Sequence, residues 1–228
     1  MIKKLEWDSN FFNLKIGEIT PEKNIFSIED TSYDLLYIKS DKAFEISLNG
    51  YVNAFSELKV IFCRDLERNQ YDSQNIFPFQ EVNVSISELY DLAYESGKFS
   101  RFKLDENFSE AQFKQLYRTW IDNSLNGILP GELFVYQENE QLMGFVSYKI
   151  NQDNATIGLI AVCPNNQGKK IGSKLLKYVE QQLVAINIKK LFIPTQQANE
   201  TACSFYKKHG YQIHETLQIK HYWKDDTI

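Results

Sequence analysis

Leu159-Ile-Ala-Val-Cys-Pro-Asn-Asn-Gln-Gly-Lys-Lys-Ile-Gly-Ser-Lys-Leu-Leu176 is the stretch that decides the fold. Its first residues are apolar and end at Pro164, the pattern of a buried central strand. A turn with Gly168 and Gly172 follows. Beyond it Ile171, Leu175, Val179 and Leu183 recur every fourth residue, the apolar stripe of an amphipathic helix. A strand that feeds a glycine-bearing turn at a helix N-terminus leaves several backbone N–H groups without intrahelical partners. Those donors, with the positive end of the helix dipole, suit a phosphate or pyrophosphate. An ordinary strand-loop-helix with incidental glycines has the same pattern, so a second segment has to decide.

Two common phosphate binders are excluded first. A P-loop requires Gly-x-x-x-x-Gly-Lys-Ser/Thr and a dinucleotide fingerprint Gly-x-Gly-x-x-Gly, and neither stands here. Residues 167–172, Gln-Gly-Lys-Lys-Ile-Gly, instead resemble the acyl-CoA loop of the GNAT acetyltransferases, Gln/Arg-x-x-Gly-x-Gly/Ala, with Lys170 where the first glycine is expected. Residues 199–211, Asn-Glu-Thr-Ala-Cys-Ser-Phe-Tyr-Lys-Lys-His-Gly-Tyr, resemble the last helix of that family, and the two motifs stand in family order. The resemblance implies an α/β GNAT acyl-CoA N-acyltransferase fold, a mixed central sheet flanked by helices. It also implies acetyl-CoA as co-substrate and no metal.

Composition bounds the remaining choices. The chain has 228 residues, enough for one large or two small domains, with 43% hydrophobic and 24% charged residues. A net charge of −5 argues against broad attraction to nucleic acid. The three cysteines, Cys63, Cys163 and Cys203, lack Cys-x-x-Cys spacing, so neither a disulfide framework nor a zinc site is expected. Lys3 and Lys4 precede no apolar h-region, and no apolar run reaches membrane-span length, so a cytoplasmic protein without membrane contact is expected.

Along the chain, residues 1–98 read as a smaller N-terminal α/β domain and 99–228 as the catalytic domain, with possible homodimer contacts in the first. Short β-rich runs predict strands over 14–19, 35–38 and 59–63. Ser85 to Glu88 is a capping-box pattern, and Gly97 supplies a C-cap, predicting a helix between them. A second such pattern, Ser109 to Gln112, opens a helix in which Phe113, Leu116, Tyr117, Trp120 and Ile121 share a face. Strands over 133–137, 142–150 and 155–162 follow as an antiparallel meander, and 190–194 is another strand. Lys169, Lys170, Lys174 and Lys177 lie off the apolar stripe of the helix after Gly168, either facing a pyrophosphate or on a solvated face.

Amine acetylation needs a cradle for acetyl-CoA, a neutral amine at the thioester carbonyl and a proton for the departing thiolate. Thiols have pKa near ~8.5, so acid help need only be modest. The family resemblance assigns that acid to Tyr206. It assigns the CoA loop to Gln167, Gly168, Lys169, Lys170, Ile171, Gly172 and Ser173. Backbone groups of Ile160, Ala161 and Val162 are expected to pair with pantetheine as an added strand would. Asn199 either joins that pairing or is a plain N-cap. None of His209, His214 and His221 stands out as a general base.

The acceptor is addressed by the other half. Residues 5–17, Leu-Glu-Trp-Asp-Ser-Asn-Phe-Phe-Asn-Leu-Lys-Ile-Gly, and 100–108, Ser-Arg-Phe-Lys-Leu-Asp-Glu-Asn-Phe, resemble TDP-fucosamine acetyltransferases, which act on nucleotide-linked amino sugars for surface polysaccharide. A TDP-sugar needs a cation near its diphosphate, and Arg101 is the candidate, with a surface salt bridge as the plainer reading. Trp7, Phe11 and Phe12 either stack a base or belong to the core. A protein N-terminus, peptide or polyamine acceptor, or a CoA-binding module without catalysis, are the alternative readings.

Overall fold

The computed structural model describes residues 2–21, 32–68, 74–127 and 131–225. Strands are β1 (Lys3–Lys4), β2 (Ile16–Ile19), β3 (Leu35–Ser40), β4 (Tyr51–Asp65), β5 (Ile76–Pro78), β6 (Gly131–Glu138), β7 (Gln141–Asn151), β8 (Asn154–Val162), β9 (Lys190–Gln196) and β10 (Gln212–Lys224). Helices are α1 (Glu6–Phe12), α2 (Ile86–Ser96), α3 (Arg101–Leu104), α4 (Glu110–Leu125), α5 (Ile171–Ala185) and α6 (Glu200–Lys208). All ten strands form one sheet in the order β1-β2-β3-β10-β4-β9-β8-β7-β6-β5. The β2/β3 and β8/β9 pairs are parallel and the other pairs antiparallel, so the sheet is mixed.

Successive residues of a strand face opposite sides, and here both sides are covered. Phe134, Val146 and Ile193 pack with Leu175, Val179 and Leu183 of α5 and Tyr206 of α6. Their neighbours Leu133, Val135 and Phe145 turn the other way, onto Leu89 and Leu92 of α2 and Leu116 and Ile121 of α4. That is why β6 reads as an unbroken Leu-Phe-Val-Tyr run rather than an alternation. A third cluster, with Ile19, Leu36, Ile38 and Tyr222, closes the β1–β3 end.

The Ser109 capping box forms in both directions. At Ser85 only half of it does: the side chain accepts from the Ser87 N–H, and no return bond from Glu88 stands among the described residues. Gly97 ends α2 at φ −92°, an ordinary conformation. Its glycine is required by close approach instead, since a Cβ would lie 2.4 Å from the Tyr117 ring.

The 14–19 and 59–63 expectations change length. Asn13 turns left-handed at the end of α1, so β2 starts only at Ile16. β4 extends over 15 residues because it is wedged between β9 and β10, with Lys59 opposite Gln196 and Glu57 opposite Ile219. Strands from either side of residue 98 therefore alternate in one sheet, β3-β10-β4-β9.

Candidate active site

β8 and β9 begin as a parallel pair joined by α5, but their ladder stops at Thr156 opposite Phe192. Beyond that point they diverge, leaving the facing backbone edges of residues 157–162 and 193–196 outside any shared ladder. β8 also carries a bulge: Val146 opposes Ile160 and Tyr148 opposes Ile157, so Gly158 and Leu159 together face Ser147. The Leu159 N–H is satisfied by Ser147 Oγ at 3.1 Å. Bulges bend a strand and re-aim its residues. A cleft of about 790 Å³ opens at this divergence, lined by Ile160, Ala161 and Val162 on one edge and Pro194, Thr195 and Gln196 on the other.

The start of α5 forms one end of the cleft. Its first backbone bond runs from the Lys174 N–H to the Lys170 carbonyl at 3.0 Å, so the N–H groups of Ile171, Gly172 and Ser173 precede the helical ladder. Lys170 is the N-cap, with φ 64° and no side-chain cap. This left-handed conformation explains why a glycine is expected there, and the lysine adopts it at some steric cost. Gly168 also has positive φ, 80°, with open space where a Cβ would lie. Gln167, Gly168, Lys170, Ile171, Gly172 and Ser173 all line the cleft, whereas Lys169 is exposed and outside its walls. The His209 Nε2 lies 2.9 Å from Ser173 Oγ and its Nδ1 lies 2.8 Å from the Phe205 carbonyl, so this ring ties α6 to α5.

Tyr206 also lines the cleft, is only 4% exposed, and packs against Phe62 and Phe205. Burial pushes its phenol pKa well above the ordinary value, so the hydroxyl keeps its proton. Asn199 caps α6, its Oδ1 accepting from the Ala202 N–H at 3.1 Å, and lines the cleft as well.

The opposite wall comes from α3, β3 and β4, with Arg101, Lys39, Glu57 and Lys59. Ser100 starts α3 by accepting from the Phe102 N–H, which puts Arg101 at the first helical position. Its guanidinium lies 4.2 Å from the Tyr37 ring centroid and 4.6 Å from that of Phe102. His221, fully buried, gives its Nδ1 proton to Asp105 Oδ2 at 2.6 Å and presents Nε2 to Arg101 at 3.4 Å. Burial drives the His221 pKa down to about 4, against the pull of Asp105. The ring is therefore neutral, and Nε2 can accept from Arg101. Burial opposes the Asp105 carboxylate too, but hydrogen bonds from His221, Trp223 and Asn107 outweigh it and hold its pKa below the ordinary value. Among the described residues Arg101 is thus braced by a buried relay and not held in a surface salt bridge.

The sequence profile described as "Acetyltransferase (GNAT) family" matches residues 86–211, more than half of the chain. The chain belongs to the GNAT acetyltransferase family. A putative GNAT acetyltransferase from Novosphingobium aromaticivorans shares the fold at TM-score 0.58 and 12% identity, over 84% of this chain and 75% of that one. A functionally unknown conserved protein from Staphylococcus epidermidis does so at 0.56 and 15%, over 85% and 74%. Among curated proteins, the spore coat polysaccharide biosynthesis protein SpsD of Bacillus subtilis is 26% identical over 133 residues. That alignment covers 58% of this chain and 46% of SpsD, so the chain spans about half the length of that relative.

In this GNAT chain the structure brings the expected loop, Asn199, Tyr206 and Arg101 to one cleft. Trp7 and Phe11 stack on each other at 5.0 Å outside its lining, and Phe12 is core. Lys39, Glu57 and Lys59 were not legible in the sequence as site residues. They stand on strands that pair with distant segments, and no local motif marks them. Among the described residues no cluster of His, Cys, Asp and Glu could hold a metal, and no helix is long and apolar enough to cross a membrane.

Proposed function

We propose that this acetyltransferase moves acetyl from acetyl-CoA to the amine of a nucleotide-linked amino-deoxy sugar of the TDP-4-amino-4,6-dideoxyhexose type. In this reading the N–H groups at the start of α5 and the positive φ of Gly168 and Lys170 hold the pyrophosphate. The unpaired edge of β8 at Ile160, Ala161 and Val162 takes the pantetheine amides. Tyr206 lies on the helix beyond that edge and gives its proton to the departing thiolate. Asn199, already engaged as a cap, contributes at most its remaining amide group.

One observation carries the acceptor assignment: Arg101, in the same cleft but outside the CoA loop, lies on two aromatic faces and is braced from behind by a buried Asp105–His221 pair. A guanidinium braced in this way is pre-organised for bidentate anion binding, which a diphosphate offers and a polyamine does not. Lys39 and Lys59 add positive charge to that wall. The printed name of the Bacillus subtilis relative, spore coat polysaccharide biosynthesis protein, supports a sugar acceptor.

Kinetics of Arg101→Ala test the assignment. KM for the TDP-amino-sugar should rise well beyond KM for acetyl-CoA, because only one substrate loses a contact. Equal changes in both values would remove Arg101 from acceptor binding.

A further inference from the structure

Glu57 stands on β4, where residues alternate between the two sides of the sheet. Val60 and Phe62 enter the core beneath α5 and α6. Glu57 and Lys59 have the opposite parity, and Glu57 shares the cleft with Arg101, Tyr117 and Tyr206. Its Oε2 is sealed from solvent and has no hydrogen-bond partner among the described residues. Leaving a buried carboxylate oxygen unpaired costs about 1–3 kcal/mol or more. Three cations act on it through space, Arg101 on α3, Lys59 on β4 and Lys39 on β3. They hold charge near the carboxyl without satisfying Oε2. Glu57 itself is half-buried and lines the cleft, so an acceptor ammonium there meets its carboxyl as a donor with a proton to lose.

We propose that Glu57 is the general base of the acetyl transfer, taking the proton from the acceptor's ammonium before the amine attacks. The step balances: the carboxylate and R–NH₃⁺ become carboxylic acid and R–NH₂. The C–N bond then forms as the thioester C–S bond breaks. The departing thiolate is protonated by Tyr206, and Tyr206 is restored by the proton that the new amide nitrogen sheds. Glu57 returns its own proton to solvent on product release. Burial raises the Glu57 pKa, opposed by Arg101, Lys59 and Lys39, and a carboxylate base gains strength as its pKa rises toward the working pH. Lys59 is the competing candidate, since burial and Arg101 lower its pKa. Tyr117 on α4 also faces the group, but burial holds its phenol near 12 and it stays protonated.

This inference rests on the acetyltransferase activity and not on the sugar assignment. Wild type is first assayed on a TDP-4-amino-4,6-dideoxyhexose, an N-terminal peptide and spermidine. Glu57→Gln and Lys59→Met are then compared on whichever amine is turned over. Glu57→Gln should lower kcat by ~10²–10⁴-fold with acetyl-CoA affinity unchanged. Its kcat/KM–pH profile should have its acidic limb shifted up to the amine's own pKa, so that activity recovers toward wild type only at high pH, where the amine is already neutral. A merely structural glutamate would not show that recovery. Failure of the sugar reading appears as wild-type turnover of another amine only. The present proposal is overturned if Glu57→Gln keeps the wild-type rate and acidic limb, or if Lys59→Met alone shifts that limb. Carboxyl ¹³C titration of the free protein is a check that needs no acceptor. A Glu57 pKa at or below the ordinary ~4.3 would overturn it too.

Discussion

Gly172 offers a substitution whose effects on stability and binding have opposite signs. It is the second residue of α5, and a Cβ built on it would lie 3.6 Å from both Phe205 Cζ and Val162 Cγ2, ordinary contact distances. The protein alone therefore does not require glycine there. Gly172→Asp removes only the roughly 0.3 kcal/mol by which glycine is the poorer helix former, and adds a carboxylate to the first turn, worth a further ~0.3–1 kcal/mol against the dipole. The free variant should melt roughly 1–5 °C higher at ~2–4 °C per kcal/mol. In the proposed binding mode, acetyl-CoA meets that carboxylate across the site of its pyrophosphate. Two like charges about 4 Å apart at an effective dielectric near 20 repel by ~4 kcal/mol. Allowing half for screening and rearrangement leaves ~2–4 kcal/mol, or roughly 30- to 1,000-fold in Kd. Calorimetry for acetyl-CoA, with a thermal melt of the free protein, reads both. A folded, stabilised variant with wild-type affinity would refute the placement of the pyrophosphate on α5.

Tyr206→Phe keeps the packing against Phe62 and removes the proton, so kcat should fall ~10²–10⁴-fold in steady-state assays while acetyl-CoA affinity in calorimetry is unchanged. Lys170→Gly relieves a left-handed non-glycine residue costing roughly 1–2 kcal/mol, partly offset by ~0.4–1 kcal/mol of unfolded-state entropy. Thermal melts should show a gain of about 0.5–1 kcal/mol, and calorimetry a roughly 2- to 5-fold weaker acetyl-CoA affinity from the lost charge. His221 has a folded pKa of about 4 against ~6.5 unfolded, so between these values the unfolded chain binds the extra proton. Stability should fall as pH drops through that window, by on the order of 3 kcal/mol from this group, and urea titrations of His221→Gln should lack that increment.

What was legible in the sequence was local. The α5 loop, the Ser109 capping box and the meander of β6, β7 and β8 each lie within a short segment whose periodicity and turn residues are self-contained. The wall of the cleft around the start of α5 is built from such segments, so Gly168, Gly172, Asn199 and Tyr206 could be expected there before any coordinates. The opposite wall is built from non-local pairings. Glu57 and Lys59 reach the cleft because β4 wedges between β9 and β10, a register that no short window encodes. His221 meets Asp105 across 116 residues, and on sequence alone it was a histidine in a strand. Arg101 stands out in the sequence only by its charge, while the aromatic faces and buried relay that fix it are tertiary. Lys169 shows the converse: inside the motif by sequence, it is exposed and does not line the cleft.

The most direct measurement of the central claim is acetyl-CoA turnover with a TDP-4-amino-4,6-dideoxyhexose, alongside an N-terminal peptide and spermidine, with the product's acetyl position read by NMR. The account predicts kcat/KM for the sugar nucleotide far above the other amines, with a new acetamido group at C4. Acetylation of the peptide or spermidine while the sugar nucleotide is left untouched would contradict it.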